Sequence, residues 1–125
     1  MKPLAGIVIA MGIELWAQTV PQQPVFTKVP QKARLKCNPL AGERTAVPAG
    51  GKLFRQHCAE CHGKDAEGTK KAPMLAGGEM VDATPGEIFW VLTNGVVRKG
   101  MPEWSRLPPA QRWQIVAFLE SLNRP

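Results

Sequence analysis

Positions 4–13 are apolar without interruption, running from Leu4 to Ile13. Lys2 precedes the run, and Glu14-Leu15-Trp16-Ala17-Gln18 follows it. A positive residue ahead of about ten apolar ones reads as a secretory signal peptide, assigned to residues 1–17 with cleavage after Ala17. Leu15, at the third position back, departs from the small-residue pattern of a cleavage site, and Glu14 falls in the tail of the run. The run falls short of the roughly 20 apolar residues that span a bilayer, so the alternative is an uncleaved segment retained at a membrane surface.

From 18 to 48 neither a helical nor a strand period is present. Pro21, Pro24, Pro30, Pro39 and Pro48 interrupt the stretch, and Lys28, Lys32, Arg34 and Lys36 make it basic. Residues 18–45 are therefore expected to form a semi-stiff tether, or a strap over the domain. The folded domain is assigned to 46–125. A first helix is expected over 49–56. Thr84-Pro85-Gly86-Glu87 predicts a capping box with proline in the first turn. Ile88, Val91 and Leu92 then share one face, and Gly95 stops the helix. A last helix over 109–122 places Ile115, Phe118, Leu119 and Leu122 on one face, and Gly50 would let Phe118 approach the first helix closely.

Composition adds a constraint. The chain has 125 residues, of which 44% are hydrophobic, while Gly and Pro number 12 each. One small domain fits, with a core too thin to be comfortable alone. Sixteen Lys and Arg against ten Asp and Glu give a net charge of +6. Loss of residues 1–17 would remove Lys2 and Glu14, one charge of each sign, and leave that balance unchanged. A basic surface favours acidic partners or anionic membranes. Nucleic acid is a poor fit, because the basic residues are scattered and the chain is expected to be exported.

The chemistry centres on Cys58-Ala59-Glu60-Cys61-His62. Two thiols three apart, followed at once by histidine, form the attachment pattern of a c-type haem. Each thiol adds across one vinyl group of the porphyrin, and the adjacent His62 supplies an axial nitrogen. Attachment takes place outside the cytoplasm, in agreement with the export signal. Three alternatives compete, one of them a chance match over five residues. A zinc site from Cys37, Cys58, Cys61 and either His57 or His62 satisfies a four-ligand count, but Cys37 lies across the proline-rich stretch. A thioredoxin-like pair would need a preceding strand and a βαβ pattern, and neither is visible.

The second axial ligand is assigned to Met101, in Gly100-Met101-Pro102. A thioether favours ferrous iron and raises the reduction potential. Met1 and Met11 fall in the leader, while Met74 and Met80 lie in loops nearer to His62. Met101 is preferred because its flanking glycine and proline give a rigid, close-approaching loop. His57 is expected to be solvated. Trp90, Trp104, Arg98 and Lys99 are weaker candidates for the haem edge or its propionates, and Cys37 is left over as a free or intermolecular thiol.

Residues 49–125 resemble a class I monohaem cytochrome c of the small bacterial type. Gly50 and Phe54 stand eight and four residues before Cys58, as the glycine and aromatic do in that family's first helix. Gln56-His57-Cys58-Ala59-Glu60-Cys61-His62-Gly63 resembles the attachment segment. Ala72-Pro73-Met74-Leu75-Ala76-Gly77 is similar to the loop whose proline carbonyl holds the proximal histidine, which implies that role for Pro73. Gly100-Met101-Pro102 looks like the distal segment and Ile115-Val116-Ala117-Phe118-Leu119 like the last helix. The tether, Cys37 and the absence of tyrosine lie outside the resemblance.

The expectation is an all-α fold of three to four helices wrapped around one covalent haem c. It would carry one electron in the periplasm between a redox-protein donor and acceptor with acidic docking surfaces, and contact a membrane without spanning it. With both axial positions filled, it is expected to be a carrier and not an enzyme. The alternative is a haem subunit of a dehydrogenase complex, or a small haem enzyme or sensor whose distal site opens.

Overall fold

The computed structural model describes Pro3 and residues 25–124; the signal segment and its expected cleavage point after Ala17 lie outside the described residues. Within them the chain is helical. Five α-helices follow in order: α1 Gln31–Arg34, α2 Ala46–His57, α3 Ala59–His62, α4 Pro85–Asn94 and α5 Pro109–Asn123, with 3₁₀ turns at Gly78–Val81 and Val97–Lys99. Among the described residues no strand forms, and the only β pairing is an isolated bridge between Val96 and Met101. No described helix is long and apolar enough to cross a membrane.

α2 begins three residues earlier than the expected 49–56. Pro48 sits in its first turn, where a proline removes no intrahelical bond, and Ala46 N–H donates to the Glu43 carbonyl at 3.2 Å. α2 packs chiefly on α5, and Gly50 is the reason the two can meet. A Cβ there would run into the Gln114 backbone carbonyl and stand 3.0 Å from the Phe118 Cβ. Phe118 then tilts onto Phe54, ring centroids 5.2 Å apart. Phe54, Ile115 and Val116 are fully buried, each contributing about 1.5–3 kcal/mol of burial. Leu122, expected on the same face, is 36% exposed in the last turn.

α4 forms as its sequence dictates. Thr84 Oγ1 accepts from Glu87 N–H at 3.2 Å, and Thr84 N–H donates to Glu87 Oε2 at 2.9 Å. The two bonds satisfy donors that a helix start otherwise leaves unpaired. Ile88 and Leu92 are buried, Val91 is half-buried, and Gly95 closes the helix at φ 68°. Arg112 on α5 is buried because its guanidinium binds the Leu107 carbonyl and Thr93 Oγ1 and lies over the Phe89 ring.

Part of the proline-rich stretch is built into this core. Phe26 and Val29 are buried with the helices, and Asn38 Nδ2 donates to the Trp113 carbonyl at 3.0 Å. The lack of a period there reflects contacts made one residue at a time, not by a continuous face.

Candidate haem site

The end of α2 sets the site. Cys58 N–H binds the Phe54 carbonyl at 2.8 Å, and the Cys58 carbonyl then accepts from both Cys61 and His62 N–H, at 3.2 and 2.9 Å. The two thiols and His62 therefore share one turn. Both cysteines are half-buried and neither is in a disulfide. Burial, with Cys61 beside it, pushes the Cys58 thiol up to about 12, so the sulfur of the haem-free chain is a protonated thiol.

His62 is oriented by the chain itself. Its Nδ1 lies 2.8 Å from the Pro73 carbonyl. A carbonyl only accepts, so Nδ1 is the donor, and in the neutral imidazole this leaves the unshared pair on Nε2, the form required of a metal ligand. Pro73 is held from several sides. Leu75 and Ala76 N–H both bind the carbonyl of Ala66, at 2.8 and 3.1 Å, and Ala66 adopts φ 58°. From the far end of the chain, Asn123 Oδ1 accepts from Gly77 N–H at 2.6 Å and Asn123 Nδ2 donates to the Leu75 carbonyl at 2.9 Å.

Pro73 and Leu75 form one side of a cavity of about 670 Å³. Ile88, Val91 and Leu92 of α4 form another, so the face that the spacing predicted is turned into the cavity. Met101 lies on a third side, its backbone paired with Val96 by bonds of 3.0 and 3.2 Å. Lys71 and Lys99, both exposed, stand at the rim. Cys58, Cys61 and His62 do not themselves line this space; His62 adjoins it through the Pro73 carbonyl.

The residues fit a haem. The volume falls within the roughly 300–1,000 Å³ of small-molecule and cofactor sites, and the walls are largely apolar. Two thiols and an oriented imidazole stand beside it, and thioether sulfurs reach it. Met74 and Met80 line the cavity as well as Met101. Met74 is half exposed and Met80 buried, so the tertiary structure brings three candidate thioethers together where spacing favoured one.

The weaker candidates sort out differently. Lys99 lines the cavity, whereas Trp104 is buried against His57 at 5.1 Å, with Arg106 over its ring. His57 is thus half-buried and not solvated as expected, because that indole covers it. Arg98 is exposed and Trp90 half-buried, and neither lines the cavity. Cys37 is exposed, and among the described residues no group of three or more His, Cys, Asp or Glu assembles to hold a metal ion. The four-ligand zinc set is therefore not brought together. Asn123 and Phe26, which bear on the site, were not read from the sequence; a lone polar residue at a helix end and a lone aromatic among prolines carry no local signal.

Residues 45–119 match the family model described as cytochrome c oxidase, cbb3-type, subunit III. The chain is 30% identical over 92 residues to the cbb3-type cytochrome c oxidase subunit FixP of Sinorhizobium medicae, covering 66% of this chain and 32% of that protein. It is 34% identical over 82 residues to subunit CcoP of Rubrivivax gelatinosus, covering 65% and 25%. The chain thus spans a third or less of these relatives. Among solved structures, cytochrome cL of Methylophaga aminisulfidivorans superposes with a TM-score of 0.57 at 28% identity, over 66% of this chain and 58% of that one. A second c-type cytochrome gives 0.53 at 26% identity, over 60% of this chain and 98% of that one. With the helices, the cysteine pair and the cavity in agreement, the chain belongs to the cytochrome c family represented by the cbb3-type oxidase subunit III domain.

Proposed function

We propose that this protein is a monohaem electron carrier. Cys58 and Cys61 hold the haem covalently, His62 and Met101 are its axial ligands, and the carrier works in the periplasm. Family membership carries the coarser part, an electron-transfer domain with c-type haem. The observation that supports the finer part is the His62 Nδ1–Pro73 carbonyl contact of 2.8 Å beside a cavity that Met101 also lines. When bound, the haem supplies a one-electron ferric/ferrous couple. The chain's own work is to fix the imidazole, to present a soft sulfur, and to exclude water with Ile88, Leu92 and Leu75. Met101 is favoured over Met74 and Met80 because its backbone is pinned on both sides by Val96.

A reduced-minus-oxidised spectrum with a c-type α-band, and a protein mass increased by one haem, are the expected results. Met101→Ala should abolish the iron–sulfur charge-transfer band and lower the potential, with Met80→Ala and Met74→Ala retaining the band. A band that survives in Met101→Ala sinks the assignment. The mass also fixes whether cleavage follows Ala17.

The relatives' names favour a second reading, a haem subunit held permanently in a larger oxidoreductase. Native protein that elutes alone at the size of one chain supports the shuttle; constant co-elution with an oxidase supports the subunit. The basic balance fits redox partners with acidic docking faces in either case.

A further inference from the structure

Residues 25–38 lie upstream of the family match at 45–119, yet the structure binds them to the haem cavity. Val25 and Phe26 line the same cavity as Pro73 and Met101, and Phe26 is only 6% exposed. The segment is fastened at several points. Arg34 donates to the Phe26 carbonyl, to the Val29 carbonyl at 3.0 Å, and to Glu87 Oε1 at 2.9 Å. Glu87 is the same carboxylate that closes the α4 capping box, so one residue orders both the helix and the strap. Thr84 Oγ1 donates to the Arg34 carbonyl at 3.0 Å. Gly86, on the first turn of α4, has no side chain where the strap crosses; a Cβ there would strike the Ala33 carbonyl and stand 3.0 Å from that of Lys36. A free tether requires none of these contacts.

We propose that residues 25–38 are part of the haem-binding site: a strap whose Phe26 forms one wall of the haem crevice and holds water away from it. This rests on the c-type haem reading given above. The ferric form carries one more positive charge than the ferrous form, so water at the haem stabilises the oxidised state. Burial is one of the levers by which a protein sets haem potential, and an aromatic wall excludes water over a large area. The strap therefore raises the potential, and it lies upstream of the residues that the family model matches.

The test uses the full-length haem-loaded protein and two variants that change no charge. Phe26→Ala removes the wall, and Gly86→Ala lifts the strap off α4 while leaving Phe26 in the chain. Both are expected to shift the reduction potential downward, with Phe26→Leu near the parent value. In Gly86→Ala, hydrogen exchange should also show loss of protection at Val29, Ala33 and Arg34 N–H, which is read independently of any electron transfer. Potentials that stay at the parent value in folded variants overturn the proposal, as does a lowered melting temperature as the sole change, since packing alone produces that. If Phe26→Ala fails to fold, Gly86→Ala decides by the same readings. Parent protein without an α-band overturns the haem reading and the strap with it; an intact α-band with unmoved potentials overturns the strap alone.

Discussion

Asn123 shows how one side chain at the end of α5 bears on a site more than sixty positions earlier in the chain. Its amide bonds hold Gly77 N–H and the Leu75 carbonyl, and that loop carries the carbonyl that orients His62. Asn123→Ala removes both of these ties to α5. It should cost about 1–3 kcal/mol in urea unfolding, the range for stranding buried partners. It should also speed exchange of the His62 Nδ1 proton seen by NMR. The shared turn of Cys58, Cys61 and His62 was legible because residues within five positions are brought together by local geometry alone. Asn123 was not, because its partners lie 46 and 48 residues away and asparagine is common at helix ends for local reasons.

At the scale of elements, the start of α4 does two jobs. Thr84 caps the helix and binds the Arg34 carbonyl, so Thr84→Ala loses more than a cap. A cap alone is worth about 0.5–2 kcal/mol, and the expected loss is at or above the upper end of that range, measured by thermal unfolding, with Thr84→Ser restoring most of it. The meeting of α2 and α5 is equally specific. Gly50→Ala forces the helices apart at the Gln114 carbonyl and should cost about 1–3 kcal/mol, as overpacking does; denaturant titration reads it. The capping box and the Ile88–Val91–Leu92 face were read from the sequence because one is a motif of fixed local spacing and the other repeats with the helical period. α1 was not, being a single turn of four residues with no buried face of its own, held in place by what it touches.

For the whole molecule, the cavity is the controlling feature. About 670 Å³ of largely apolar space lies among helices that pack thinly without a filling group, and cavities of that kind lower stability in proportion to their size. Chain made without haem attachment should therefore be largely unfolded by circular dichroism, and a cooperative native-like melt from it would contradict this view. A net charge of +6 predicts that electron transfer with an acidic partner slows as salt rises, because exposed charges are screened within about 10 Å at 0.1 M. Stopped-flow rates across a salt series measure this.

By itself the sequence determined the local groundwork: two thiols and a histidine on one turn, the apolar faces of two helices, and a chain short of core. These are local facts, set by covalent geometry and by periods of a few residues. Tertiary structure decided the rest. It gathered Met74, Met80 and Met101 around one cavity, set Asn123 behind Pro73, and laid Phe26 against the crevice. Those depend on which distant segments share a surface, and only burial of the apolar faces around a common centre fixes that.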